Sequence, residues 1–138
     1  MKGPSIDGLT VTSDMAQPLL ADFFSFVNSC LEETNLIGAR LRFAHAETVI
    51  PFASLLQIPA LADRTADPTD LYTYETNPWR GSRVSPMGAN IQWEIYRHET
   101  DSQRILVRML YNEMEVRFKE GCQSLPDHNF FYDFNELK

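Results

Sequence analysis

Few side chains in this sequence combine reactive types with a spacing that lets them act together. His45 and Glu47, in the stretch Leu41–Thr48, stand out because they lie two apart where an apolar strand pattern gives way to a helical one. An imidazole can donate hydrogen bonds to a phosphate oxygen, strongly so when protonated. A carboxyl group two residues on reaches the same volume and can hand a proton to a leaving oxygen. A free helix N-terminus at the same corner adds backbone N–H donors and favours an anion. These are parts that phosphate-ester cleavage needs. Histidine and glutamate are equally common at such corners as capping or surface groups, so the three residues His45-Ala46-Glu47 do not decide the matter on their own.

The elements that must hold this corner can be read from periodicity. Ser13 and Asp14 are N-cap types, and Met15, Leu19, Phe23, Val27, Cys30 and Leu31 recur at helical spacing. Pro18 suits only a first turn, so a helix is expected from near Gln17 to about Glu33–Asn35. Over residues 39–44, Leu41 and Phe43 alternate with Arg40 and Arg42, a strand pattern. Alternation turns Arg42 away from Leu41 and Phe43, toward a structural ion pair. A short amphipathic helix carries Val49, Ile50, Phe52, Ala53, Leu55 and Leu56, with Pro51 close to its start. Residues 59–89, rich in Pro, Asp, Thr and Gly, are expected to form one long loop.

Beyond that loop the period changes to two. Ile91, Trp93 and Ile95 form one strand and Ile105 to Tyr111 a second. After a turn at Asn112-Glu113, Met114, Val116 and Phe118 form a short third strand of an antiparallel meander. Glu94, Glu113 and Glu115 are expected to solvate strand edges, and Trp79 and Trp93 to pack. Asp133 to Lys138 reads as the opening of a helix. Both ends of the sequence read as though cut from something longer. The expected architecture is α/β, in the order helix, strand, helix, long loop, antiparallel strands, with residues 1–138 forming a single segment.

Composition narrows the function classes. Twelve basic against 19 acidic residues give a net charge of −7, which repels nucleic acid and anionic lipid alike. No basic-aromatic stripe argues for nucleic acid, no apolar run approaches membrane-spanning length, and the first residues lack a signal-peptide pattern. Cys30 and Cys122 form no C-x-x-C pair, so neither zinc nor redox chemistry is indicated, and no metal or other cofactor is expected. Whether the two thiols pair or stay free is left open by their spacing.

The segment "LRFAHAETVIPFASLL" closely resembles the second active-site motif of the histidine acid phosphatases, in the His-Ala-Glu form of their inositol polyphosphate phosphatase (phytase-like) branch. "GPSIDGLTVTSDMAQPLLADFF", "RVSPMGANIQWEIYR" and "ILVRMLYNEMEVRFKEGC" are similar to flanking segments of bacterial members, so the likeness runs over nearly the whole chain. The resemblance implies the carboxyl-terminal part of a histidine phosphatase α/β domain. It implies that His45 contacts the scissile phosphate and Glu47 protonates the leaving alcohol of a phosphomonoester such as an inositol phosphate. It further implies a periplasmic or secreted setting for the full-length family. Asn90 and Met87, in "SPMGAN", are placed where they could rim the substrate site, although a strand-entry turn explains them equally well.

The family's nucleophile is a histidine in an Arg-His-Gly-x-Arg motif near the start of the full chain, and these 138 residues contain none. The only Arg-His pair, Arg97-His98, continues as Glu99-Thr100, and His98 and His128 are expected at the surface. The chain is therefore expected to need a missing amino-terminal half, or else to persist as an inactive binding or interaction module, for instance a homodimer.

Overall fold

The structure is a computed structural model that describes residues 10–11, 13–32, 35–58, 69, 73–101, 104–118 and 120–138. Residues 1–9 and most of the stretch 59–72, within the expected long loop, lie outside the described residues. A 3-10 turn at Asp14–Ala16 leads into helix α1 (Gln17–Ser29), with Pro18 in its first turn. Helix α1 is shorter than its apolar periodicity suggests. Beyond Ser29 the backbone turns at Cys30 and Leu31, and Asn35 donates through Nδ2 to Ser29 Oγ (3.0 Å), which folds the chain back along the helix.

Four strands form one sheet: β1 (Ile91–Arg97), β2 (Ile105–Tyr111), β3 (Met114–Val116) and β4 (Phe131–Asp133). Antiparallel β1 pairs along the whole of β2, from Ile91 opposite Tyr111 to Arg97 opposite Ile105. The far edge of β2 is shared, β3 covering Met109–Tyr111 and β4 covering Leu106–Arg108. The β2–β3 turn places Asn112 and Glu113 at positive φ (48° and 67°), as a two-residue hairpin turn requires. The expected meander thus holds for β1 to β3, and Phe118 lies beyond the ladder but is buried. The tail adds β4, which periodicity missed because three residues carry no readable pattern. Asp133 then caps the short helix α4 (Phe134–Leu137), accepting from the Asn135 N–H at 2.8 Å.

Alternation along β2 buries Ile105, Val107, Met109 and Tyr111, and that sheet face packs on α1 and on helix α2 (Ala46–Leu55). The contact is largely aromatic. Phe23 meets both Trp93 (5.2 Å between centroids, edge-on) and Phe52 (5.1 Å), while Phe24 meets Trp93 (5.4 Å) and Phe134 (5.7 Å). Pro51 lies well inside α2 and is buried, not near its start as expected, because α2 begins at Ala46, ahead of the first apolar residues. Within the expected long loop, the short helix α3 (Gly81–Val84) is held to β2 by the Tyr111 hydroxyl, which donates to the Val84 carbonyl.

The other sheet face is organised by one guanidinium. Arg108 pairs with Glu94 and, at 2.7 Å, with Glu115, and lies over the rings of Phe131 (5.3 Å) and Tyr96 (5.9 Å). Glu94 and Glu115 therefore clamp a cation instead of merely solvating the strands. The Tyr96 hydroxyl, followed by Arg108, holds the Glu94 carboxyl below its ordinary value of 4.5.

Residues 39–44, expected as a strand, belong to no ladder among the described residues. They are positioned by α1 instead. Asp22 accepts from Arg42 Nε (2.6 Å) and pairs with Arg42 Nη2 (2.5 Å) and Arg40 Nη2 (3.3 Å), while the two guanidinium groups lie over Phe23 (4.4 Å) and Phe26 (5.5 Å). Arg42 is in the structural ion pair that alternation assigned to it.

Two outcomes follow from these clamps. Asp22→Ala removes the shared acceptor and lowers stability by about 1 kcal/mol after solvent screening, read as a drop in the urea midpoint; an unchanged midpoint contradicts the clamp. Because the Glu94 pKa is depressed, its contribution is present above the ordinary carboxylate range and is lost as pH falls through the folded-state value below 4.5. Glu94→Gln thus lowers the unfolding temperature at pH 7, and its difference from the parent shrinks at pH 3.

Candidate active site

The corner between residues 39–44 and α2 carries His45 and Glu47. His45 is the N-cap residue, with φ −105° and ψ 172°, and its carbonyl accepts from the N–H groups of Thr48 (2.9 Å) and Val49 (3.2 Å). The backbone of His45 therefore starts the helix, but its imidazole makes no capping bond and is exposed. Glu47 is the acidic residue of the first turn and is exposed as well. Helix starts carry backbone N–H groups without intrahelical acceptors and the positive end of the dipole, so both side chains border an anion-favouring volume.

What fixes the corner lies on either side of it. Upstream, the Asp22 clamp holds Arg40 and Arg42 to α1. Downstream, Ile50, Pro51, Phe52 and Ala53 are buried in the core, so α2 cannot swing without breaking that packing. Periodicity and motif pointed to His45 and Glu47 as candidates but gave no sign of Asp22, which sits on a different element 20 residues before Arg42. Its only sequence signal is a carboxylate on a helix otherwise apolar around Phe23 and Phe26.

The other candidates are placed more loosely. Asn90 enters β1, where its carbonyl accepts from the Asn112 N–H (3.0 Å), its own N–H donates to Asn112 Oδ1 (3.2 Å) and its side chain donates to the Gly88 carbonyl (3.4 Å). Those bonds describe a strand-entry clasp. Asn90 also lines, with Ala44 and Thr48, one groove that runs up to the His45–Glu47 corner. Met87 lies in the Pro86–Ala89 turn, fully exposed and outside that groove. The structure thus brings Asn90 toward the corner's flanks and leaves Met87 apart.

The remaining histidines take no part in the corner. His98 is exposed just past β1, its Nδ1 facing the Thr100 N–H (3.3 Å), and His128 is exposed with its ring edge-on to Phe131 (5.7 Å). Arg97 donates to the Cys30 carbonyl, so the Arg97-His98 pair is tied to the end of α1. Cys30 and Cys122 are both free thiols. Among the described residues no three His, Cys, Asp or Glu side chains cluster as metal ligands, and no helix is long and apolar enough to cross a membrane.

Known proteins are similar to this chain in sequence and in fold. Over 98 residues the chain is 29% identical to a multiple inositol polyphosphate phosphatase of Dictyostelium discoideum, covering 71% of this chain and 14% of that protein. Three crystal structures of the Bifidobacterium longum multiple inositol polyphosphate phosphatase superpose on 99% of it. The complex with inositol hexasulfate does so at TM-score 0.82 and 44% identity, the apo form at 0.84 and 42%, and the phosphate complex at 0.84 and 41%. The chain spans only 26–28% of those crystallised chains. The family model of the histidine phosphatase superfamily (branch 2) matches residues 8–112, and the chain belongs to that superfamily.

Proposed function

We propose that this chain is the proton-donor portion of a histidine acid phosphatase that hydrolyses phosphomonoesters such as inositol polyphosphates. His45 contacts the scissile phosphate, and Glu47 gives its proton to the leaving alcohol. The observation that carries this reading is the state of His45. Its backbone opens α2 while its imidazole stays exposed and uncommitted to the cap, at the end of a helix that attracts anions. The likeness to phosphatases crystallised with inositol hexasulfate and with phosphate supports the substrate class. An exported setting, implied by the family, belongs to the same reading.

The chemistry requires a nucleophile outside these 138 residues. Attack by an imidazole on phosphorus breaks the ester bond and forms a phosphohistidine; the departing alkoxide takes the Glu47 proton, and water then releases phosphate. Phosphoryl transfer depends on positioning and charge stabilisation, so the acid alone achieves almost nothing. A second reading, a non-catalytic module, draws on the missing Arg-His-Gly-x-Arg motif and on the engagement of Arg97 with Cys30. Under the phosphatase reading, the isolated 138 residues act as one segment of a larger catalytic unit.

Two charge effects oppose each other at Glu47. The helix N-terminus favours its ionised form, and a bound phosphate favours the protonated form that a general acid needs. A rate that falls as pH rises through the Glu47 pKa follows.

The test is a chimaera in which this chain replaces the matching quarter of the Bifidobacterium longum phosphatase. Phytate hydrolysis fastest at acidic pH is expected, with Glu47→Gln lowering kcat by ~10²–10⁴-fold and leaving KM little changed. Full activity of the Gln variant, or a rate maximum above neutral pH, contradicts the assignment. Turnover by the isolated chain contradicts the need for an outside nucleophile.

A further inference from the structure

A groove of about 800 Å³ separates β1 from residues 35–44. Asn35 meets Ser29, Arg40 lies over Phe26 and Arg42 lies over Phe23, so residues 35–42 run antiparallel to α1. Trp93 meets Phe23 and Arg97 meets Cys30, so β1 runs parallel to α1. The two walls of the groove are therefore antiparallel to each other. His45, where one wall ends, stands at the same end of the molecule as Asn90, where the other begins, and Ala44, Thr48, Asn90 and Ile91 line the groove there. Even-numbered residues of β1 bond to β2: the Asn112 N–H donates to the Asn90 carbonyl at this corner end, and the His98 N–H to the Arg104 carbonyl at the far end.

Helix α3 is anchored at the corner end as well. Tyr111 stands opposite Ile91 in the ladder, its hydroxyl donates to the Val84 carbonyl, and the Val84 side chain is buried in the core. Arg80 staples the segment that leads into α3. It donates to the carbonyls of Tyr74 (2.6 Å), Asn77 (2.5 Å) and Trp79 (2.7 Å) and lies over the Tyr74 ring (3.4 Å). On this fixed platform Arg83, next to Val84, is exposed, and among the described residues its side chain has no hydrogen bond, ion pair or ring contact. The other guanidinium groups toward this end are committed, Arg40 and Arg42 to Asp22 and Arg80 to its three carbonyls. Arg104 stands at the far end, and Arg117 follows β3 as that strand runs away from the corner end.

We infer that Arg83 is a specificity residue, whose guanidinium binds a peripheral phosphate of a polyphosphorylated substrate while the reacting phosphate sits at the His45–Glu47 corner. The assignment rests on the function proposed above. The chain carries a net charge of −7, so its overall field disfavours a substrate with several phosphates, and local cations must hold them. His45 and the start of α2 meet one phosphate. A guanidinium offers five N–H donors in a planar fork that matches phosphate oxygens. Arg83 has no acceptor among the described residues, so it keeps all five for a ligand. Because Val84 is buried and tied to β2, the helix that carries Arg83 needs no ordering when the ligand arrives.

The chimaera that carries this chain in the Bifidobacterium longum phosphatase is assayed on phytate and on p-nitrophenyl phosphate, which has a single phosphate. Arg83→Ala is expected to raise KM for phytate about tenfold with kcat little changed. Both constants for p-nitrophenyl phosphate stay as they are, and Arg83→Lys recovers part of the loss. Arg104→Ala makes the same charge change at the far end and leaves every constant unchanged. An unchanged KM for phytate in Arg83→Ala, equal changes on both substrates, or the same loss from Arg104→Ala overturns the inference. Calorimetric titration of the chimaera and its variants with inositol hexasulfate needs no turnover and separates the two readings. Binding that depends on Arg83, without phytate turnover, keeps the polyanion site and removes the phosphatase function. Turnover that depends on Glu47 but is indifferent to Arg83 keeps the function and removes the specificity residue.

Discussion

Main-chain N–H and C=O groups must find partners wherever water cannot reach them, and two rows of such groups face each other here across one groove. The outward edge of β1 and residues 38–44 remain unpaired among the described residues, with an apolar floor between them. In the isolated chain water solvates both rows, at the cost of an open edge and exposed Leu36, Leu41 and Phe43. The His45–Glu47 corner stands at the end of one of those rows.

Helix α1 is what keeps the two rows in place. Its Phe23 touches Trp93 of β1, Phe52 of α2 and the guanidinium of Arg42, so one ring joins the sheet, the helix after the corner and the segment before it. Asp22, next to it, pairs with both Arg40 and Arg42 and offsets part of the positive charge they bring to an apolar groove. The corner is held from both sides by contacts that do not involve its reactive groups, which leaves the imidazole of His45 uncommitted to the cap.

Much of this was legible in the sequence where a local rule decided the outcome. Alternation located β1 and β2, Asn112-Glu113 located the hairpin turn, Asp133 located the last helix, and alternation also sent Arg42 to an ion pair. The His-Ala-Glu motif with its flanks located the corner and the superfamily. What could not be read was set by distant partners. Residues 39–44 have the composition of a strand, yet a strand exists only through its neighbours, and none pairs with them among the described residues. Phe131–Asp133 has too few residues for a period and becomes a strand because β3 leaves half of β2 uncovered. Glu94 reads as a solvated charge until Arg108 is placed opposite it by register.

The most direct test of the open-groove account is residue-resolved amide exchange on the isolated chain. Within β1, slow exchange at Gln92, Glu94 and Tyr96 beside fast exchange at Ile91, Trp93 and Ile95, together with fast exchange over residues 38–44, is the predicted result. Protection of the odd-numbered β1 amides and of residues 38–44 in the free chain would mean that the two walls have closed on each other, and would contradict it.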